Sequence, residues 1–267
     1  MRKFLFIFFL GATAGVFLHA QHFNRYIHRQ FEVEQQQKNS TTLHVHETPI
    51  LFYSERTTHT RYAVEAIFPN GYDVMSNTFS ITGKLVAFGQ EQIYNSAMPS
   101  GMPAADSLVM QALLHKNILI SVRDNQQQMI GQDSSGTILL LQPEDVSRFL
   151  LPVSAAEIQQ GYSWSDSTSL GGSSRFSRYL VTKKTSDTLE VMVFSEIQLQ
   201  TRFMQQQQPM LQQLKGYAKG YRWYDPATGI LKRETLSTSY NGSSETGDQR
   251  FPVSISITAE TRLKELN

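Results

Sequence analysis

Apolar and polar residues alternate with period two along most of this chain, the signature of half-buried β-strands. The longest clean run is near the C-terminus, where Val253, Ile255, Ile257 and Ala259 point one way and Ser254, Ser256, Thr258 and Glu260 the other. Between Tyr26 and Gln36 the alternation is looser, with Phe31 and Val33 opposed to Glu32 and Glu34. From Arg61 to Phe68, Tyr62, Val64 and Ala66 oppose Arg61, Ala63 and Glu65; Asn70-Gly71 then marks a turn. Strand resumes over Tyr72 to Thr82, and Gly83-Lys84 is expected to turn the chain into Leu85 to Phe88. Further strands are expected at Ile118–Val122, Thr137–Leu141, Phe176–Thr182 and Leu189–Gln198.

Only two segments carry helical spacing. Pro103 to Lys116 sets Leu108, Ala112 and Leu113 on one face, with Val109 beside them and Asp106 in the first turn. Met204 to Lys215 is the second, interrupted by Pro209 and stopped by Gly216. The short Gln runs read as strand ends and loops. A segment without clear period, bracketed by Pro143 and Pro152, divides the chain. Each side runs strands, one short helix, then a step into strand through a polar turn, at Asp124-Asn125 and at Asp225-Pro226. This is the order of an internal duplication or of two unrelated meanders. The expected fold is therefore mainly β (α+β): antiparallel curved sheets in two similar lobes, residues 21–145 and 146–267, each with one short helix. One continuous sheet or half-barrel is the alternative.

The N-terminus changes the picture of where the protein works. Arg2 and Lys3 precede an unbroken apolar run from Phe4 to Leu10, a mostly apolar stretch to Leu18, and Ala20 at the cut position. That order is a secretory signal peptide, residues 1–20. Its apolar part is shorter than the roughly 20 residues a spanning helix needs. No second apolar span follows, so a mature chain from Gln21 is not expected to cross a membrane. A periplasmic or secreted location is expected. The full chain carries +1; losing Arg2 and Lys3 leaves about −1. Near-neutral charge argues against a nucleic-acid surface. With no cysteine, no disulfide can staple the fold, and stability rests on burial, for which a chain of this size is long enough.

Val153 followed by Gly161-Tyr162-Ser163-Trp164, Gly216-x-x-x-Gly220 followed by Tyr224-Asp225-x-x-Thr228-Gly229, and Ser121 to Thr137 with Gly136 before an apolar strand form a recurring set of short structural motifs. Together they resemble uncharacterised domains of bacterial exported proteins, a family of unknown function. The resemblance covers most of the mature chain and implies a β-rich fold and an envelope or secreted location; it implies no activity. Many such proteins are lipoproteins, a pattern this Cys-free chain departs from.

Candidate chemistry is sparse. The sequence has no Gly-x-Ser-x-Gly elbow, no His-Glu-x-x-His and no phosphate or dinucleotide loop. On a strand, His44 and His46 share a face, with Glu47 adjacent and His59 downstream, but no spacing fixes a third zinc ligand. Glu32 and Glu34 lie about 7 Å apart on one strand face; they read as a solvated face, or as a hydrolytic pair only inside an aromatic cleft. Asp166, Ser163 and Ser167 have no His nearby in sequence. Met98, Met102 and Met110 read as packing around the first helix. The ligand-binding candidates are Tyr217, Tyr221 and Trp223, which share parity and so one face of a strand. They form a stacking platform for a sugar or peptide, or ordinary core and sheet-edge packing. No catalytic residue, metal or cofactor is expected. The reading is a non-catalytic exported protein binding a small apolar ligand or an unknown envelope protein. The alternatives are a carboxylate- or weak-metal-dependent hydrolase and a structural component of an envelope assembly.

Overall fold

Twelve strands form one antiparallel sheet in the computed structural model of the chain. The structure describes residues 26–45, 48–98, 114–124, 126–130, 145–152, 155, 157–170, 172–205 and 208–266. The strands are β1 (Gln30–Val45), β2 (Thr48–Phe68), β3 (Gly71–Ala87), β4 (Gln90–Asn95), β5 (Asn117–Arg123), β6 (Gln126–Ile130), β7 (Ser163–Leu170), β8 (Ser173–Lys184), β9 (Leu189–Gln205), β10 (Gln208–Tyr224), β11 (Leu231–Thr246) and β12 (Gln249–Leu266). Their order is β6-β5-β3-β2-β1-β12-β11-β10-β9-β8-β7, with β4 paired to β3.

The halves of the chain are not separate lobes. Strand β1 pairs with β12 from Gln30↔Leu266 to Leu43↔Val253, which fuses the two meanders into one sheet. The alternative of a continuous sheet is the one adopted. The expected helix over Met204–Lys215 is instead the end of β9 and the start of β10, in register from Gln208↔Gln205. Met210 and Leu214, four residues apart, satisfy helical and strand spacing equally; two long neighbouring strands decide the matter. Gly216 does not stop a helix. It lies in mid-strand, where a Cβ would stand 2.0 Å from the Ser239 carbonyl oxygen. The other expected helix, Pro103–Lys116, lies outside the described residues apart from its last three, as do the signal peptide and the strand at Thr137–Leu141. Gly83 does not turn the chain either. Strand β3 runs through it to Ala87, and the turn falls at Phe88-Gly89, both with positive φ. At Gly83 a Cβ would meet the Glu55 carbonyl and the Tyr94 hydroxyl.

The sheet is strongly curled, and one short segment demonstrates it. Between β6 and β7 the chain crosses from one edge of the sheet to the other, and the described part of this connection holds a 3-10 turn at Val146–Arg148 capped by Asp145. The Val146 N–H donates to Gln127 Oε1 on β6 at 2.8 Å, and the Tyr72 hydroxyl on β3 donates to the Val146 carbonyl at 2.8 Å. Phe149 packs edge-on against Tyr62 of β2. The Tyr224 hydroxyl on β10 donates to the Arg148 carbonyl at 3.0 Å, and Arg175 on β8 pairs with Asp145 at 2.8 Å. Strands β6 and β8 are nine places apart in the sheet, which would separate them by about 40 Å if it were flat. For residues 145–149 to touch both, the sheet must wrap around them, so the face they touch is concave. Bulges after Val64, Val181 and Trp223 lie near this end of the strands, where they add local twist.

The crossover is an apolar plug. Val146, Phe149, Leu150, Leu151, Ala155 and Ile158 are all buried, in one cluster with inward residues of the sheet such as Phe31, Val33, Tyr62, Val64, Val74, Val181, Val191 and Leu231. Phe31, Val33, Tyr62 and Val64 are among the residues whose inward direction the alternation predicts.

Candidate functional site

Three regions of the sheet carry chemistry, and the first is the floor under the plug. Arg222 stands at an inward position of β10, in line with Leu214 and Ala218. Its Nε lies 2.7 Å from Glu234 Oε1 on β11, and Arg148 from the plug reaches Glu234 Oε2 at 3.0 Å. Glu234 is 1% exposed. Burial pushes its carboxyl up, but the two guanidinium groups outweigh burial and hold it below its ordinary value. Asp145 is similar: burial opposes ionisation, while Arg175, Arg148 and the Ser147 hydroxyl hold it at about 2. The Arg222 guanidinium also lies over the Tyr179 ring at 5.3 Å, and the Tyr179 hydroxyl donates to Asp166 Oδ2 at 2.8 Å. Trp164 stacks on the same Tyr179 ring, with centroids 4.9 Å apart and planes 15° apart. A cavity of about 20 Å³ lined by Arg148, Trp164, Asp166, Tyr179, Arg222 and Tyr224 opens here, room for about one water molecule. Acids pinned below their usual range by arginines are poor proton donors at neutral pH. This floor locks the plug to the sheet.

The second region is the same concave face farther along the strands, toward the β1–β2 and β9–β10 turns. Ile81, Leu214, Ala218 and Val253 are buried on it without belonging to the core cluster around the plug. Half-buried Ile197, Leu236, Tyr240, Ile255 and Ile257 share the face. The register sets Leu214 beside Leu199 and Gly242, Leu236 beside Ala259, and Tyr240 beside Ile255. On β1 and β2 the same face carries Gln35, Gln37, Asn39 and Thr41, with Arg56 donating to Gln37 Oε1 at 3.0 Å, before Leu43, Ile50 and Phe52 at the turn end. Apolar side chains thus dominate β9–β12 on this face, and hydrogen-bonding ones the middle of β1 and β2.

The third region is the outer face of β8–β10. Strand parity places Tyr217, Tyr221 and Trp223 together, as the sequence indicates, and on the outer face. Tyr217 is 55% and Tyr221 41% exposed, so neither is core packing. Trp223 is half-buried and fastened: its Nε1 donates to Glu190 Oε2 at 2.9 Å, and the Arg233 guanidinium covers its ring at 5.3 Å. Phe194 on β9 stacks with Tyr217, centroids 6.5 Å apart and planes 19° apart. Phe176 and Met192 are exposed on the same face.

The remaining sequence candidates do not converge. Glu32 and Glu34 sit on the outer face of β1, Glu32 at 3.9 Å from Arg61 and Glu34 accepting from Gln36 at 2.7 Å. His44 is exposed and His46 lies outside the described residues, among which no metal-ligand cluster occurs. Asp166 points inward to Tyr179, while Ser163 and Ser167 are exposed on the opposite face of β7. Met98 is exposed, not packed, and Met102 and Met110 lie outside the described residues. The ionic floor is absent from the sequence reading. Its signal was available: Arg222 and Glu234 occupy inward parity positions of their strands, where a charge requires a buried partner.

No protein-family model matches the chain, and no curated protein sequence matches it. Among solved structures, lipovitellin, described for its lipid–protein interactions, aligns over 89% of this chain at a TM-score of 0.50 and 8% identity. The alignment spans 25% of the lipovitellin chain. An outer-membrane channel from Pseudomonas putida F1 aligns over 89% of this chain and 96% of its own, with a TM-score of 0.25 and 7% identity. The translocator domain of the autotransporter NalP from Neisseria meningitidis aligns over 94% of this chain and 95% of its own, with a TM-score of 0.24 and 7% identity. The last two scores carry no inference. The first is a likeness of fold: a large, curled antiparallel sheet.

Proposed function

We propose that this protein is a non-catalytic, exported binding protein that holds a small apolar or amphiphilic ligand on the concave face of its sheet, beyond the plug. The observation that carries this reading is the continuation of inward apolar residues on β9–β12 past the reach of residues 145–158. A concave apolar wall with a few polar groups opposite is the usual form of a small-molecule site. Leu236, Ile255 and Ile257 would take the hydrocarbon, and Gln37, Asn39 and Arg56 the polar end. The sheet likeness to lipovitellin agrees with such a use of a curled sheet, and the leader-like residues 1–20 support export. Binding in an envelope or secreted setting requires no nucleophile, base or metal.

The test is extraction and mass analysis of small molecules from protein recovered after export, followed by displacement of a fluorescent fatty acid. A stoichiometric apolar species, and probe binding weakened at least about tenfold by Ile257→Asp, is the expected result. Protein that neither carries a ligand nor binds the probe would refute it. Turnover of an ester, glycoside or peptide substrate that disappears on Asp166→Asn would replace it with the hydrolase reading.

A further inference from the structure

We infer that the outer face of β8–β10 is a membrane-docking surface that recognises a bilayer containing anionic lipid. On β10 the outward positions read Lys215, Tyr217, Lys219, Tyr221, Trp223, while the inward positions between them are Gly216, Ala218, Gly220 and Arg222. Two lysines thus interleave with the aromatic side chains along the outer face of one strand. The two neighbouring strands extend the apolar part: Met192 and Phe194 on β9 and Phe176 on β8, each between 37% and 39% exposed. Adjacent strands lie about 4.8 Å apart, so these residues make one contiguous patch. Contiguous exposed apolar surface on a water-facing sheet marks a contact site.

Charge selects the partner. The patch carries Arg178, Lys215, Lys219 and Arg233 against Glu190 and Glu196. Glu190 is engaged by Trp223 and Thr182, Glu196 lies 3.9 Å from Arg178, and Arg233 pairs with Glu260 at 3.1 Å. Lys215 and Lys219 make no ion pair among the described residues, and they flank Tyr217. Two lysines beside tyrosines match an anionic bilayer surface: each cation near such a surface contributes about 1 kcal/mol, or roughly fivefold in affinity, and tyrosine and tryptophan settle at the headgroup level. A sugar is a poorer match, because stacking needs open ring faces. One face of Trp223 is taken by Arg233 and one of Phe176 by Arg178 at 5.2 Å, and Phe194 stacks with Tyr217.

The concave ligand site and this face lie on opposite sides of the same strands, so docking would leave the ligand face open away from the bilayer contact. The experiment is co-sedimentation of the protein recovered after export with phosphatidylcholine vesicles, with and without phosphatidylglycerol. Binding should require phosphatidylglycerol, weaken at high salt, and fall at least about tenfold in K215E/K219E and in Y217S/Y221S. These are exposed positions, and the thermal midpoint of each variant should match the parent; the salt dependence of the unmodified chain is an independent readout. Ile257→Asp, on the inner face, should bind vesicles as the parent does. Absence of vesicle binding, or binding untouched by both double variants, overturns the inference. So does binding of a soluble envelope polysaccharide that both double variants abolish, which would assign the patch to sugar.

Discussion

The two ends of the concave face are built from the same strands with the same alternation, yet they are stabilised differently. At the base, the crossover fills the curl with buried side chains and drives Arg148 against Glu234 and Arg222. Farther along, inward apolar residues such as Ile255 and Ile257 remain half-buried and lie outside the core cluster that holds Val146, Phe149, Leu151 and Ile158. Alternation therefore sets the direction of a side chain, but a third layer is needed to turn direction into burial. A base that is filled and cross-linked by charge can hold the sheet curled while the other end keeps apolar surface for a ligand.

The comparison can be broken by mutation. Glu234→Ala removes the acceptor shared by two buried arginines and should cost about 3–5 kcal/mol, because breaking a buried ion pair leaves an uncompensated charge. Phe149→Ala, within the plug, should cost a comparable 3–5 kcal/mol through lost contact and the cavity it leaves. Denaturant titration measures both. Ile257→Ala at the open end should cost only about 1 kcal/mol, since its side chain is half-buried. Equal losses at the two ends would show that the far face is packed as tightly as the base.

Acid sharpens the same contrast. Asp145 is held at about 2 against an ordinary value of 3.8, and Glu234 is also held low. Groups depressed in the folded state stabilise it fully above their unfolded values and lose that contribution as pH falls. Thermal midpoints should thus be flat above about pH 5 and drop toward pH 2. Asp145→Asn should start lower at neutral pH and lose less on acidification. An unchanged slope in that variant would place the acid sensitivity elsewhere.

The smallest effect belongs to the β10–β11 turn. Asp225 Oδ1 accepts from the Ala227 and Thr228 N–H groups at 2.9 and 2.8 Å, and Gly229 has φ +73°. Gly229→Ala should cost about 1 kcal/mol, because an L side chain is strained at that φ. A neutral result in the same titration would show that the turn relaxes without cost.

Much of this was legible along the chain, for physical reasons. Period two set the inward residues of β1 and β12 and of β2 as far as Val64, where a bulge shifts the phase past Ala66, and parity alone grouped Tyr217, Tyr221 and Trp223. Turn chemistry located Asp225 to Gly229, because φ and side-chain acceptors are local properties. It came within one residue of the β2–β3 turn, which falls at Pro69-Asn70 with Gly71 already opening β3 close to the Val122 carbonyl. Failures came where two periods coincide or where glycine has two uses. Met210 and Leu214 fit a helix as well as a strand, and only pairing with β9 and β11 chose. Gly83 and Gly216 read as punctuation but serve close approach of neighbouring strands.

What the sequence determined by itself is local: strand content, the facing of each side chain, the tight turns, and the absence of thiol chemistry. What the tertiary structure decided is which face is concave, that one sheet replaces two lobes, and that the aperiodic segment after Pro143 contributes the plug. It also decided that Asp145, Arg148, Arg175, Arg222 and Glu234 meet. Those groups are separated by up to 89 positions along the chain, and no local spacing encodes their contact. They come together because curling the sheet brings its edge strands around one short segment, where burial demands that every charge find its opposite.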